Sequence, residues 1–251
     1  MQLIILGSGT CAPTKHRSCA CYYLKIGASQ VLLDIGFGAI RRMMEAGVDY
    51  RHIDYVLVSH THLDHVADLG PLLMALEYTP NFIRTKPLTI IGPKGFREYM
   101  HHLARIYSPW IVEPTHYELR IIDVHNQRIS FGNWQVTAMP MEHSKETNGY
   151  RIQQNDKVFA YSGDTGLCEE VVQLLADADL ALLECSFPDD EAVEGHMTPS
   201  LAGQVAVLAA CKKLVLTHLY PMMDKMDVVG PVSRIYRGPV LIARDLQIHT
   251  I

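Results

Sequence analysis

No stretch of the 251 residues is long and apolar enough to span a bilayer, which takes about 20 consecutive apolar residues. The opening Met1-Gln2-Leu3-Ile4-Ile5-Leu6-Gly7 lacks a basic lead and its apolar run is short, so it reads as a first strand and not as a signal peptide. Positive charge is not in excess. Lys and Arg number 22 against 27 Asp and Glu, a formal net charge of −5, which argues against a broadly basic, nucleic-acid-coating protein and leaves room only for a local basic patch. The six cysteines (11, 19, 21, 168, 185 and 211) show no CxxC pairing, so reduced, buried thiols are expected, with Cys19 and Cys21 alternating on one strand face. No internal repeat, low-complexity tract or linker appears. With 48% hydrophobic residues the chain can fill a core without disulfide staples. The expectation is a cytoplasmic protein folded as one domain over residues 1–251.

What is present is a long series of short apolar runs, at 3–6, 21–26, 31–35, 55–59, 88–91, 120–124, 134–139, 150–153, 158–162, 180–185, 213–217 and 240–243. Their richness in Val, Ile and Leu predicts strands buried on both faces. Gln154-Asn155-Asp156-Lys157 predicts a tight hairpin between two of them. Helical spacing covers 39–46, 66–78, 94–107, 168–176 and 200–210, with Thr198-Pro199 as a helix start and Gly47 as a helix stop. The layout is α/β (α+β): two sheets flanked by helices.

Polar residues fall at telling places. The stretch "SHTHLDHV", residues 59–66, packs His60, His62, Asp64 and His65 into six positions at the end of an apolar strand. Three later strands run into His143, into Gly163-Asp164-Thr165 and into His218. In extended chain His60 and His62 can point the same way, and Asp64 and His65 open a helix. A lone histidine is more often a capping or core residue. Seven nitrogen and oxygen donors arriving at strand ends are too costly to bury unless cations hold them, and they exceed the needs of one tetrahedral ion. Two ions about 3.5–4 Å apart sharing Asp164 would use all seven. His101 and His102 lie about 100° apart on one helix and cannot share a site. His16, His52, His116, His125 and His249 have no supporting pattern and are expected at surface or supporting positions. Lys15, Arg17 and Lys145 sit in loops near these residues and could receive a phosphate.

The motifs HxHxDH at 60–65, His143-Ser144, Ser162-Gly163-Asp164-Thr165 and Thr217-His218 resemble those of the metallo-β-lactamase superfamily. Three more features resemble its ribonuclease Z branch: Leu6-Gly7-Ser8-Gly9-Thr10, the PxKxRN-like loop Pro13-Thr14-Lys15-His16-Arg17-Ser18, and Glu184 with Gly195-His196-Met197-Thr198. The resemblance implies a four-layer αβ/βα sandwich, a homodimer, and a site at one sheet edge. It implies one zinc on His60, His62 and His143, another on Asp64, His65 and His218, and Asp164 bridging. It also implies catalytic roles: Asp64 orients or deprotonates the attacking water, and His196, steadied by Glu184, donates a proton or hydrogen-bonds the phosphate. Two features depart from the branch. Its asparagine is Ser18 here, and the hairpin at 150–162 leaves no room for the inserted arm with which the branch grips tRNA.

The expected function is therefore a di-zinc phosphodiesterase acting on a small or single-stranded nucleic-acid substrate, with manganese or iron as other candidates for the oxygen-rich second position. A hydrolase of thioesters, lactones or β-lactams is the alternative. An iron oxidoreductase on the same frame is less favoured, because its relatives carry glutamate at the place of His62. A binding protein with a purely structural metal is disfavoured by the number of donors. Segment 77–115 holds no interpretable motif, and Tyr107-Ser108-Pro109-Trp110 within it could be lid, dimer contact or core.

Overall fold

A computed structural model describes residues 1–12, 14–144 and 146–251. In chain order the first half forms β1 (Gln2–Gly7), β2 (Cys21–Ile26), β3 (Ser29–Leu33), α1 (Ala39–Glu45), β4 (Tyr55–Leu57), α2 (Leu63–Val66), α3 (Leu69–Tyr78), β5 (Leu88–Gly92), α4 (Phe96–Tyr107) and β6 (Leu119–Asp123). The second half forms β7 (Gln127–Phe131), β8 (Trp134–Pro140), β9 (Asn148–Gln154), β10 (Lys157–Tyr161), α5 (Glu169–Leu175), β11 (Leu180–Glu184), α6 (Pro199–Leu208), β12 (Leu214–Thr217), α7 (Val229–Ile235), β13 (Val240–Ile242) and β14 (Ile248–Thr250).

The strands make two seven-stranded sheets, ordered β14-β1-β2-β3-β4-β5-β6 and β13-β12-β11-β10-β9-β8-β7. Each is antiparallel over one part and parallel over the other. Side chains alternate across each strand. Leu3 and Ile5 enter the core between the sheets while Ile4 and Leu6 face α1, α3 and α4. Leu180 and Leu182 of β11 likewise face the other sheet, and Ala181 and Leu183 face α5, α6 and α7. Both faces are buried, which is why these strands are apolar throughout and not alternating. The result is the expected α/β (α+β) sandwich of four layers, αβ/βα.

Several expectations need correction. The single helix expected over 66–78 is two, broken at Ala67-Asp68. Pro71 lacks the N–H that would bond the Ala67 carbonyl, so α3 starts anew with Pro71 in its first turn. Strands β7 and β14 lie outside the predicted runs. Both are short edge strands with polar residues, and Gly132-Asn133 makes the two-residue turn into β8, with Gly132 at φ 60°. Helix α7 hides behind Gly230 and Pro231. Thr198 does cap α6, accepting from Leu201 N. The cysteines are all free thiols, yet Cys11 is exposed, Cys19 and Cys168 are half-buried, and Cys19 precedes β2. Tyr107 is exposed, while Trp110 packs edge-on to Tyr78 against the core. The hairpin β9–β10 turns through Asn155-Asp156 alone, with Asn155 at φ 54°. No arm is inserted there. No described helix is long and apolar enough to cross a membrane.

Candidate metal centre

Strands β3, β4, β10, β11 and β12 end at one edge of the sandwich, and so does β8, which runs with β10 because both are antiparallel to β9. Ligand sites form at such carboxyl ends, where backbone groups no longer pair with neighbours. The loops carry Asp34 past β3, Ser59 and His60 past β4, His143 past β8, Asp164 past β10, Ser186 past β11 and His218 past β12. Gly163 makes the turn to Asp164 at φ 61°, and a Cβ there would meet the Ser59 Cβ at 2.8 Å. The two sheets are laced together beside the site, with Asn148 N donating to Ser59 O at 2.9 Å and Tyr150 OH to Val58 O at 2.6 Å.

All seven candidate donors converge. His60 Nε2 lies 2.9 Å from His62 Nδ1, which lies 3.2 Å from His143 Nε2. His65 Nε2 lies 3.3 Å from His218 Nε2, and Asp64 Oδ2 is 3.5 Å from the latter. Between the two groups stands Asp164, with Oδ1 3.4 Å from His65 Nε2 and Oδ2 at 3.5 to 3.8 Å from His218, His143 and His60. The groups His60, His62, His143 and Asp64, His65, His218 each bring three donors within reach of one ion.

Supporting hydrogen bonds decide which nitrogens carry protons. His65 Nδ1–H donates to Asp34 Oδ2 at 2.7 Å. Ser59 Oγ gives its proton to Asp34 Oδ2 at 2.7 Å and accepts from His60 Nδ1 at 3.0 Å. His143 Nδ1–H donates to Gly195 O at 3.0 Å, and His218 Nδ1–H to Ser186 Oγ at 2.9 Å. The protons are therefore on the outer nitrogens, and the inner nitrogens of these four rings are left as lone pairs, His65 Nε2 facing His218 Nε2 and those of His60 and His143 facing His62 Nδ1. Facing lone pairs repel at such distances unless a cation lies among them. Donors 2.0–2.1 Å from a tetrahedral zinc stand roughly 3.3 Å apart, which is the spacing found. Asp164 Oδ1 is buried and lacks any hydrogen-bond partner, a cost relieved by a cation. The residues fit a metal.

The carboxylates draw positive charge into the site. Burial works against charge on Asp164, yet His218, His65 and His60 outweigh it and hold its carboxyl well below the usual range. Burial is likewise opposed at Asp64 by His218 and His65, which keep it ionised. Burial pushes His60 down, while at His65 it is overcome by Asp164 and Asp34, which favour a second proton, and so a positive charge, on that ring; a cation among the inner nitrogens would supply that charge in the proton's place.

Asp34 is a member of the site that the sequence reading misses. It is fully buried, sits at φ 54°, and accepts from Ser59 N, Ser59 Oγ, His65 Nδ1 and Tyr161 OH. A charge close behind the apolar run Val31-Leu32-Leu33 is a visible signal, and it follows the same strand-end rule as His60 and Asp164. Ser59, Tyr161 and Ser186 carry no sequence signal.

The catalytic candidates also meet. Glu184 is fully buried, and its Oε1 lies 2.8 Å from His196 Nδ1. The His196 ring stacks on His218 at 6.0 Å and touches the His143 and Phe187 rings. Burial disfavours charge on His196, but the Glu184 hydrogen bond prevails and raises its pKa. Of the substrate-binding candidates, Lys15 and Arg17 lie among the described residues. Arg17 is corrected: its Nε and Nη2 hold Asp224 at 2.8 Å, and Nη1 donates to Ser8 Oγ and Ala243 O at 2.7 Å. It ties its loop to the C-terminal segment and offers no free fork to a phosphate. Lys15 is exposed on that loop. Lys145 and Pro13 lie outside the described residues. Of the remaining histidines, His249 is a second correction, being buried on β14 with Nε2 unpartnered, while His16, His52, His101, His102, His116 and His125 are exposed.

A β-lactamase superfamily domain model matches residues 29–219. The chain belongs to the β-lactamase superfamily, and it is a hydrolase of the ribonuclease Z-like branch. Ribonuclease Z of Thermobifida fusca is 26% identical, covering 98% of this chain and 93% of the relative. Ribonuclease Z of Methanosarcina mazei is 28% identical, with 98% and 97% covered. Among solved structures, the metallo-β-lactamase fold protein YhfI from Bacillus subtilis superposes with a TM-score of 0.84 at 24% identity, covering 99% of this chain and 98% of that one. The human short-form tRNase Z gives 0.80 at 23%, covering 100% and 99%. The first alignment runs over 301 positions, more than the 251 residues here, so that relative carries segments without a counterpart in this chain.

Proposed function

We propose that the chain, as one hydrolase domain over 1–251, is a two-metal phosphodiesterase for small or single-stranded nucleic-acid substrates. The observation that carries this is the set of inner imidazole nitrogens 2.9–3.3 Å apart around the unpartnered Asp164 Oδ1. His60, His62 and His143 would hold one ion and Asp64, His65 and His218 the other, with Asp164 between them. Five imidazoles and two carboxylates favour zinc, with manganese or iron as substitutes at the Asp64 side. Such ions, when bound, make water a competent nucleophile near neutral pH and offset charge on a phosphate oxygen. Asp64, kept ionised by its neighbours, orients that water by accepting a hydrogen bond from it. His196, held protonated by Glu184 at the mouth, donates to the departing oxygen.

The two-residue hairpin supports the substrate class. Without an arm to hold a folded RNA, affinity must come from groups next to the reacting bond. Cytoplasmic location and a homodimer belong to the same proposal, the latter checked by light scattering. The deciding experiment is hydrolysis of an aryl phosphodiester by zinc- or manganese-reconstituted protein beside a chelated control. Metal-dependent turnover supports the assignment. Two bound metals without turnover would move it to thioesters, lactones or β-lactams.

A further inference from the structure

The Glu184 carboxylate gathers four donors, His196 among them, from two loops, the one after β10 and the one after β11. Oε1 accepts from His196 Nδ1 and from Thr165 N, both at 2.8 Å. Oε2 accepts from Met197 N at 3.1 Å and from Ser186 Oγ at 2.6 Å. Thr165 follows Asp164, and Ser186 touches His218, so one buried carboxylate reaches the proton donor, the central aspartate's loop and a histidine of the second donor group.

Ser186 is the joint. Its hydroxyl has one proton, and two acceptors are near: Glu184 Oε2 at 2.6 Å and His218 O at 3.0 Å. The closer oxygen, that of the carboxylate, takes it. The Ser186 lone pair then receives His218 Nδ1–H at 2.9 Å, which leaves His218 Nε2 as a lone pair facing His65 Nε2 and the two aspartates. His218 also sits at φ 54°, in the left-handed region that a histidine seldom adopts, so its backbone needs an external hold. Ser186 bonds both ends of that residue or lies against them, and it is itself fully buried.

We propose that Ser186 is a positioning residue for metal: anchored on Glu184, the carboxylate that also holds His196, it sets the His218 tautomer and so strengthens the second ion's binding. The inference rests on the two-ion reading above. Supporting residues of this kind change metal affinity about 10–100-fold when removed.

The test is competitive zinc titration, against a chelating dye, of metal-stripped wild type, Ser186→Ala, Ser186→Thr and His196→Ala, each with a thermal melt as folding control. One of two equivalents should weaken about 10–100-fold in Ser186→Ala, with the other unchanged. Ser186→Thr, which keeps the hydroxyl, should restore it. His196→Ala should bind both normally. Wild-type titration of folded Ser186→Ala, or equal weakening of both equivalents, overturns the role. A wild type that takes up a single equivalent overturns the two-ion reading and this inference with it. Because the readout is metal uptake, a failure of the phosphodiester assignment leaves the result interpretable.

Discussion

Two buried carboxylates, Asp34 and Glu184, hold the site from opposite sheets, and they differ in what they hold. Each stands at the end of a parallel strand and accepts four hydrogen bonds. Asp34 binds groups that never leave the interior: Ser59, His65 and Tyr161, whose phenol burial and Asp34 together keep protonated. Through them it orients one histidine from each donor group. Glu184 binds His196, which reaches the mouth. The lesson is that similar acceptor chemistry serves rigidity at one place and, in the mechanism proposed above, proton delivery at the other, according to whether a partner meets solvent.

Breaking the inner anchor should do the most damage. Asp34→Ala leaves four buried donors without an acceptor, each costing about 1–3 kcal/mol, so a loss of at least roughly 4 kcal/mol and a melting point lowered by roughly 10 °C or more are expected. Differential scanning calorimetry and metal analysis would show both the shift and loss of bound metal. Next comes the outer anchor's client. His196→Ala should lower turnover about 10²–10⁴-fold while melting and metal content stay near wild type. A large drop in either would make His196 a structural residue and erase the contrast.

A pH profile sharpens the comparison further. Because the folded pKa of His196 is raised, the protonated ring is available up to that raised value, and its stabilising bond is complete below the ordinary imidazole pKa and lost as pH rises through the raised one. The alkaline limb of kcat should therefore move to lower pH in Glu184→Gln. An unmoved limb would detach His196 from proton donation. The smallest effect is expected at Arg17→Ala. Since its donors are already engaged, KM for an aryl phosphodiester should change less than about 3-fold, with roughly 1 kcal/mol of stability lost; a large KM rise would reinstate Arg17 as a phosphate contact.

Much of the molecule is legible in the sequence because it rests on local pattern. The apolar runs locate twelve of the strands, since a strand buried on both faces must be apolar at every position. HxHxDH announces itself because its donors are close in the chain. Edge strands β7 and β14 escape because an edge tolerates polar residues. The break before α3 escapes because the apolar spacing runs on through Pro71 while the backbone hydrogen bonds do not.

The sequence by itself determined the class of fold and the candidate donors: donor types, their spacing and their order along the chain are covalent facts. Only the tertiary structure decided which groups support the donors and which do not. Asp34, Ser59, Tyr161 and Ser186 act through partners 1 to 127 positions away, and Arg17 is withdrawn from the site by Asp224, 207 positions on. Hydrogen bonds depend on distance and angle in space, and neither is written in the order of residues along a chain.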